Sequence, residues 1–328
     1  MTAERDVARH DRVTGRTKFA DDLEVDGVLY GAFVRIPHRR AVIDLIDTDL
    51  AANAPGIVRI FTAKDFGADG PPRFGPAVMD QPVLAVDEVK YEGEPVALVV
   101  ADTIEHARAA VRLVEVDSRP LAGWHTVADA LASPPLHNPD NRGSDQSPWR
   151  DTNIMAAWDF GWGDVDRAVE DASVVVHNRY QAPFAHHFAI ETYSAVAIPE
   201  GEAIAVWDTV QHPFLERRLI AAMLDLPLEM VRVRAINMGG SFGGKGYPKL
   251  GPVVATFSRL LGRPLKITLS SEESFQTGQR EAADITVRSG FDENGVLLFQ
   301  DIRADFMVGA YTCLLYTSPS PRDNQPHR

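Results

Sequence analysis

The first third of the chain alternates short apolar runs with one periodic amphipathic segment. The run Val28–Ile36 is rich in aromatic and β-branched residues, which favours a strand, and the continuous apolar run Pro95–Ala101 is typical of a strand buried on both faces. After this run the apolar period becomes helical, and Asp102 is predicted to cap the helix with Glu105 completing a capping box. Its buried face is predicted to carry Ala107, Ala110, Val111 and Val114. These elements predict a mixed α/β unit over residues 12–118.

Residues 119–153 break this pattern, because Pro, Asn, Asp, Ser and Gly are dense there without an apolar period, and we predict a linker over the surface. Strands and helices then resume, which predicts a second unit over residues 154–312. The predicted strands are Ser173–Gln181, Ile204–Thr209, Met230–Asn237 and Pro264–Ser270, and the predicted helices are Pro213–Pro227 and Pro248–Gly262. Gly251 and Pro252 must begin or kink the second helix. The segment Ala283–Val308 is predicted to be a hairpin with Asn294–Gly295 in a type I′ turn.

The composition is that of a globular protein, and it excludes several classes of partner. Hydrophobic residues make up 45% of the 328, enough to build cores. The 46 acidic side chains outnumber the 33 basic ones, giving a formal net charge of −13 without a basic stripe, so nucleic-acid binding is not expected. The longest apolar runs are far shorter than the roughly 20 residues that span a bilayer. With Cys313 as the only cysteine, no intrachain disulfide can form. We expect a cytoplasmic protein without membrane contact, since no apolar segment lies near the N-terminus.

The most unusual local feature is the glycine loop, Asn237–Gly246, which has five glycines in eight consecutive positions. Interior glycines destabilise helices and strands by roughly 0.5–1 kcal/mol each, so this segment must turn sharply or be approached closely. A phosphate-binding GxxxxGK pattern fits as far as Lys245, but Gly246 stands where that pattern needs a hydroxyl for Mg²⁺. Ser241 likewise breaks a dinucleotide-binding GxGxxG pattern. Two interpretations remain: a nest of backbone N–H groups for an anion or a metal-oxo oxygen, and a tight packing loop between strand and helix.

Three motifs, in order along the chain, resemble one family. The heptapeptide GGSFGGK, at Gly239–Lys245, is similar to the GGGFGGK loop of the molybdopterin-binding large subunit of the xanthine dehydrogenase/aldehyde oxidase family. The stretch Trp207–Gly240 resembles that family's segment before the loop, and Gly15–Ile43 together with Gln81–Asp117 resembles its hammerhead domain. The resemblance covers residues 12–312. It implies an α+β (mixed α/β) fold, in which a hammerhead-type α/β domain is followed by the first, incomplete part of a molybdopterin-binding domain.

The resemblance also assigns roles to individual residues. Gln211 is implied to donate a hydrogen bond to an oxygen ligand of molybdenum, and Phe242 to shape the substrate pocket, so both belong to the implied catalytic site. Ser241 replaces a glycine of the family, so a left-handed backbone there would cost about 1 kcal/mol, unless the hydroxyl contacts the ligand. The metal is implied to be held by the cofactor and not by protein side chains. The residues implied to bind the cofactor are Gln211, Gly239, Gly240, Ser241, Phe242, Gly243 and Gly244.

Residues beside the loop are expected to have supporting roles. Lys245 is expected to pair at the surface, or with backbone of a partner, rather than to act in the chemistry. His186 and His187 precede Glu191 in a turn that resembles a packing element of the family, not a metal site. Some purine-oxidising relatives carry a glutamate where Gly246 stands, which argues against xanthine as the substrate.

The activity implied by the resemblance is oxidative hydroxylation of an aldehyde or N-heterocycle carbon, with water as the oxygen source. The implied cofactor is molybdenum-molybdopterin in its cytosine dinucleotide form. An iron–sulfur subunit with [2Fe–2S] and a FAD subunit are the implied partners, in a dimer of heterotrimers that acts on a small molecule. The family's catalytic base is a glutamate in a GxGE-type motif, which this sequence lacks, so we expect the chain alone to be inactive. A P-loop-like nucleotide-binding protein and a non-catalytic binding module remain the alternatives.

The two ends of the sequence are expected to lie outside these units. Residues 1–11 are predicted to form an N-terminal arm. The segment Cys313–Arg328 is rich in Ser and Pro and resembles a translated sequencing-adapter tail, so we interpret it as non-native, against the alternative of an ordinary disordered C-terminus. The predicted order is therefore the arm, a hammerhead domain over 12–118, a linker over 119–153, a first molybdopterin-binding domain over 154–312, and this tail.

Overall fold

The structure is a computed structural model that describes residues 10–75, 78–135, 152–155 and 157–311. The predicted tail Cys313–Arg328, most of the predicted arm and part of the predicted linker lie outside the described residues. The described chain mixes strands and helices, as the α+β prediction requires, and its largest element is a seven-stranded central sheet.

Within the described residues the strands are short, and they form four sheets. In chain order they are β1 (Leu29–Val34), β2 (Ala41–Asp47), β3 (Ile57–Thr62), β4 (Arg73–Phe74), β5 (Gln81–Pro82), β6 (Glu88–Val89), β7 (Ala97–Ala101), β8 (Glu115–Pro120), β9 (Val174–Ala182), β10 (Ser194–Glu200), β11 (Ala203–Asp208), β12 (Val231–Ala235), β13 (Leu265–Thr268), β14 (Ala282–Phe291) and β15 (Leu297–Met307). The central sheet has the order β12-β11-β10-β13-β1-β7-β3. Within it β1 is parallel to β13 and β11 to β12, and the other neighbours are antiparallel.

The helices are also short. In chain order they are α1 (Asp49–Ala52), α2 (Ile104–Val111), α3 (Val127–Ala132), α4 (Val165–Asp171), α5 (Pro213–Met223), α6 (Gly251–Leu261) and α7 (Ser271–Thr277), with 3₁₀ turns at Ala20–Asp22, Ala63–Asp69 and Leu228–Met230. In the described ranges, none of the helices combines the length and the apolar character that crossing a bilayer requires.

The central sheet crosses the boundary between the two predicted units. β1 of the first unit pairs in parallel with β13 of the second, with Tyr30 opposite Lys266. Side chains from both units meet in one core, where the ring centroids of Phe61 and Phe257 lie 5.0 Å apart. The sequence suggested two separate units because its apolar pattern stops over residues 119–153, whereas pairing between distant strands leaves no local pattern.

The N-terminus of α2 differs from its prediction. Thr103, not Asp102, is the capping residue: its backbone is extended, and its Oγ1 accepts a hydrogen bond from the N–H of His106 at 3.2 Å. The Asp102 carboxylate instead contacts Nδ1 of His106 at 2.6 Å. The predicted capping box of Asp102 with Glu105 is therefore wrong, because the capping residue lies one position later, at Thr103. Of the four predicted core residues of this helix segment, Ala107 and Ala110 are fully buried, and the two valines pack against the hydrophobic cluster that contains Ala110.

The helices α5 and α6 cover the part of the central sheet that is nearest to the glycine loop. α5 begins at Pro213, and α6 begins at Gly251 with Pro252 in its first turn, as predicted. α6 is buried along its first two turns because it lies against β10, β11 and β13. It ends at Gly262, whose φ of 62° is the left-handed conformation that closes many helices.

A second, three-stranded antiparallel sheet contains β9, β14 and β15. The predicted hairpin is the β14–β15 pair, but its turn is not type I′. That turn needs two left-handed residues, and only Gly295, with a φ of 80°, has this conformation, while Asn294 does not. The Asp292 carboxylate accepts hydrogen bonds from the N–H groups of Asn294 and Val296 at 2.8 Å each, which organises a longer connection.

Smaller elements complete the described chain. β2, β6 and β8 form a three-stranded sheet, and β4 pairs with β5. The helix α3 lies inside the segment that was predicted to be a linker, and Thr126 caps it by accepting from the N–H of Asp129 at 3.1 Å. None of its residues is buried, although Val127, Ala130 and Leu131 have helical spacing and Thr126 with Asp129 forms a capping box that is visible in the sequence.

Candidate functional site

Two loops meet at one edge of the central sheet. β11 and β12 are parallel neighbours, with Asp208 opposite Ala235, so their carboxyl ends lie side by side. The chain leaves β11 through Gln211 into α5, and it leaves β12 into the glycine loop, which leads to α6. In open sheets with parallel strands, ligands commonly bind beyond the carboxyl ends of those strands. The parallel pairing therefore brings the predicted amide and the predicted glycine loop to the same place.

Gln211 and the glycine loop are joined by two hydrogen bonds, and a third one within the loop supports them. The Ser241 hydroxyl donates to Oε1 of Gln211 at 2.6 Å and accepts from the N–H of Lys245 at 3.1 Å. The N–H of Gln211 donates to the carbonyl oxygen of Lys245 at 2.8 Å. Because Oε1 is engaged in this way, the Nε2 group of the exposed Gln211 side chain is the free end, and it has no partner within the described ranges.

The serine at position 241 does not carry the backbone strain that a left-handed conformation would impose. Ser241 has no left-handed φ, and its side chain is 9% exposed because it faces Gln211. Its hydroxyl links the two loops, so the contact it makes is to protein. The alternative expectation, that this hydroxyl contacts a ligand, stays a prediction. It would involve the lone pair of Oγ that Lys245 does not use.

Four consecutive N–H groups of the glycine loop, those of residues 240–243, make no hydrogen bond to any described residue. The loop closes on itself only at its end, where the N–H of Gly244 donates to Ser241 O at 2.9 Å and that of Gly246 to Gly243 O at 3.0 Å. Positive φ occurs at three of these residues, with 111° at Gly240, 52° at Phe242 and 92° at Gly243. Successive N–H groups in such a backbone form a concave nest that attracts anions and oxygen atoms.

Phe242 lies at the tip of the loop in a strained conformation. Its φ is 52°, which is rare for a bulky residue and persists only where the surrounding structure enforces it. The side chain is 77% exposed, so the described residues do not bury it or complete a pocket around it. Its ring approaches Gly240, where an added Cβ would lie 3.4 Å from Phe242 Cε2 and 3.3 Å from the Cβ of Ala189.

Close contacts explain two of the glycines. A Cβ at Gly239 would lie 2.7 Å from the Cβ of Glu191, and a Cβ at Gly244 would lie 2.9 Å from the ring of His187. Real Cβ atoms do not approach other atoms this closely, so alanine at either position would displace the loop. The turn at residues 186–191 is therefore the packing partner of the loop.

Lys245 is buried and does not pair at the surface, contrary to expectation. Its side chain is 2% exposed, and its Nζ lies 2.7 Å from Oε2 of Glu191. The two residues are 54 positions apart, so no local sequence signal connects them. The one feature of the sequence that could have indicated burial of Lys245 is its position between a glycine-rich turn and an apolar helix.

The histidines of the turn do not form a metal centre with the carboxylates around them. Nε2 of His186 contacts Ser274 O at 2.9 Å, and its Nδ1 accepts from the N–H of Phe188 at 2.9 Å, so both ring nitrogens are occupied by backbone. Burial lowers the pKa of His187 below its ordinary value, and the neighbouring His186 lowers it further. No group of three or more potential metal ligands occurs among the described residues.

Beneath both loops lies a pair of buried carboxyl groups that the sequence did not indicate. Asp208 and Glu216 are 3% and 0% exposed, and the N–H of Gly251 donates to Oδ2 of Asp208 at 3.0 Å. Burial raises the pKa of both groups, and the Asp208 charge raises the pKa of Glu216 further. A Cβ at Gly251 would lie 1.7 Å from Oε1 of Glu216, so only glycine fits where α6 begins.

The fold and the site beyond the carboxyl ends of β11 and β12 together define a structural class. It is an α+β protein in which backbone N–H donors and one free side-chain amide lie beside parallel strands. Comparison with known families is more specific. The model of the "Aldehyde oxidase and xanthine dehydrogenase, a/b hammerhead domain" matches residues 14–122, and that of the "Molybdopterin cofactor-binding domain" matches residues 147–320. The chain therefore belongs to the xanthine dehydrogenase/aldehyde oxidase family, as part of its molybdopterin-binding subunit.

Individual relatives agree with this assignment. The chain is 34% identical over 305 residues to a probable xanthine dehydrogenase subunit of Bacillus subtilis (strain 168), a match that covers 92% of this chain and 39% of that protein. It is 29% identical over 313 residues to the xanthine dehydrogenase molybdenum-binding subunit of Escherichia coli O157:H7, covering 92% and 40%.

A solved structure agrees as well. The crystal structure of a Cu,Mo-CO dehydrogenase in its carbon monoxide reduced state matches the fold with a TM-score of 0.79 at 27% identity, covering 91% of this chain and 39% of that one. The chain thus spans about two fifths of the length of these relatives.

Proposed function

We propose that the glycine loop and Gln211 form part of the cradle for a molybdopterin cofactor in a molybdenum hydroxylase. The observation that carries this proposal is the row of four N–H groups at residues 240–243, unpartnered within the described chain, beside the free Nε2 of Gln211. Every one of these groups is a donor, which suits the oxygen atoms of an anionic or metal-oxo group. Family membership supplies a group of that chemistry.

The residues present fit such a group through hydrogen-bond donors and not through metal ligands. When bound, the molybdenum cofactor would supply the redox centre at which a substrate carbon is hydroxylated with water as the oxygen source. Gln211 would donate from Nε2, because Ser241 already donates to its Oε1. An amide donates this hydrogen bond without adding charge. The loop amides from Gly239 to Gly244 would line the cofactor, with the four unpaired ones donating, and Phe242 would present its exposed ring to the substrate.

The finer assignments are part of the same proposal. We propose an aldehyde or an N-heterocycle as substrate, and Gly246, in place of the glutamate of some purine-oxidising relatives, argues for a substrate other than xanthine. The cytosine dinucleotide form of the cofactor is proposed on the resemblance alone. Electrons would pass to [2Fe–2S] and FAD on partner subunits in a dimer of heterotrimers, an arrangement that is likewise proposed on the resemblance alone. The chain by itself would not turn over without the GxGE glutamate.

The substitution Gln211→Glu tests the role of the amide. In the complete subunit, produced with its partners in a host that makes the cofactor, we expect at least about tenfold less molybdenum per protein, since loss of an orienting hydrogen bond typically costs 10–100-fold in metal affinity and the new carboxylate repels oxygen ligands. Molybdenum would be measured by elemental analysis and the pterin by fluorescence after oxidation. Gln300→Glu is the matched control, because it makes the same change of charge at an exposed amide in the second sheet.

The two alternatives predict different results from the same preparation. A P-loop-like protein would bind ATP with Mg²⁺ and contain no molybdenum, and a non-catalytic binding module would contain neither. If Gln211→Glu retained the same molybdenum and pterin content as the Gln300→Glu control, the role proposed for Gln211 would be wrong.

A further inference from the structure

The carboxylate of Glu191 connects the two ends of the glycine loop. Its Oε2 accepts from the N–H of Gly239 at 2.8 Å and from Nζ of Lys245 at 2.7 Å, and its own N–H donates to Gly239 O at 3.3 Å. The side chains of Glu191 and Lys245 are 14% and 2% exposed. Because little water competes for these groups, their charge-assisted hydrogen bonds hold a defined geometry.

The N–H groups in the middle of the loop have no such partner among the described residues, and the side-chain contact there is that of the Ser241 hydroxyl with Gln211. Gly240, Phe242 and Gly243 have left-handed φ, and the N–H groups of residues 240–243 bond to nothing in the described chain. A backbone in this state gains no stability from its own amides, so neighbouring structure must hold it in place. The contacts at its ends come from Glu191 and from Tyr193, whose hydroxyl donates to Gly244 O at 2.8 Å.

We propose that Glu191 is a positioning residue: together with Lys245 it fixes both ends of the glycine loop, so that the four amides between them stay unpaired and oriented for an oxygen-bearing group. The identity of that group rests on the proposed function, whereas the positioning itself concerns only this chain. Donors that are held in place before the ligand arrives need no reorganisation when it binds, which is the physical advantage of such an arrangement.

Hydrogen exchange measures this positioning directly. The N–H groups of Gly239, Gly244, Lys245 and Gly246 are hydrogen-bonded within the loop and to Glu191. In the double variant Glu191→Leu with Lys245→Met, which removes the ion pair without leaving a buried unpaired charge, their protection factors should fall at least about tenfold, as local opening becomes easier. Protection in β10 and β11 should stay within about twofold of the wild type, because only the loop is released.

Single variants keep the test decisive if the double variant does not fold. Glu191→Gln retains an acceptor for Gly239 but loses the charge that pairs with Lys245, so protection should fall at Lys245 and Gly246 and persist at Gly239. Glu88→Gln is the matched control, since Glu88 also forms an ion pair, with Arg40 at 2.6 Å, but lies in β6; it should leave the loop amides unchanged. Equal loss of protection in the loop and in β10 and β11, or unchanged loop protection, would overturn the proposal.

Cofactor content separates this proposal from the proposed function. In the complete subunit with its partners, the double variant should contain at least about tenfold less molybdenum than the wild type. If the wild type itself contains no molybdenum or pterin, the proposed function fails, while the exchange measurement still decides whether Glu191 positions the loop. If exchange shows a released loop and the molybdenum content is unchanged, Glu191 positions the loop but the loop does not hold the cofactor, so the proposed function of the loop is wrong and the positioning stands.

Discussion

At the scale of single residues, three interior carboxyl groups in the described chain show how burial changes their chemistry. Glu94, Asp208 and Glu216 are each at most 3% exposed, and burial is the largest cause that raises the pKa of each. The partners of Glu94 are the N–H of Lys90, at 2.7 Å from Oε2, and the hydroxyl of Tyr311, which donates to Oε1. These contacts lower the pKa of Glu94 only in part, and it remains raised to about 7.

Stability should therefore depend on pH through Glu94. Its pKa is 4.5 for the unperturbed group and about 7 in the folded protein, so between these values the folded state holds a proton that the unfolded state releases. The contribution is complete below pH 4.5 and is lost as pH rises through about 7, a total of about 3 kcal/mol. Urea unfolding of the wild type and of Glu94→Gln at pH 5 and pH 8 measures most of it: from pH 5 to pH 8 the free energy of unfolding of the wild type should fall, relative to that of the variant, by about 2.5 kcal/mol. The same difference in free energy of unfolding between wild type and variant at both pH values would contradict the raised pKa of Glu94.

At the scale of secondary structure, apolar periodicity located the elements well but their ends less well. β7, α5 and α6 lie where the patterns indicated, because continuous burial and helical spacing are local properties of the sequence. Caps and turns depend on which of two adjacent polar side chains reaches a particular N–H group. In α2 both Asp102 and Thr103 are capable of capping, and in the structure Thr103 is the cap.

The cap of α2 can be tested with two alanine variants. Thr103→Ala should lower the free energy of unfolding by about 1 kcal/mol, because the N–H of His106 loses its acceptor. Asp102→Ala should cost less, since its carboxylate is exposed and its main contact is with the side chain of His106. Denaturant titration of both variants gives the comparison. A larger loss for Asp102→Ala would favour the cap that the sequence suggested.

At the scale of the whole molecule, the central sheet makes one folding unit of two sequence segments. β1, β3 and β7 come from residues before the predicted linker, and the other four strands come from residues after it. The shared core includes Leu29 and Phe61 from the first segment, both buried almost completely, beside Ile204 and Phe257 from the second. Each such side chain contributes about 1.5–3 kcal/mol on burial, so neither segment retains a complete core without the other.

Expression of residues 154–312 alone is the corresponding experiment. Without β1, β3 and β7 this segment exposes the edge of β13 and much of the shared core, and we expect neither a cooperative thermal transition by circular dichroism nor dispersed amide signals by NMR. Co-expression with residues 10–135 should restore both. A cooperative transition of the isolated segment would show that the predicted unit folds independently and that the shared sheet is a docking contact.

Local physical chemistry explains what the sequence by itself determined. The elements with a clear apolar period, among them β7, α5 and α6, and the unusual glycine loop followed from spacing and composition, since strand and helix periods and glycine's conformational freedom act over a few residues. The role of Gln211 came from the resemblance to the family and stays a proposal. Only the tertiary structure revealed the shared sheet, the contact between Ser241 and Gln211, and the burial of Lys245 against Glu191. These depend on groups that are 30 or more positions apart, and the pairing of parallel strands, not the sequence between them, brings such groups together.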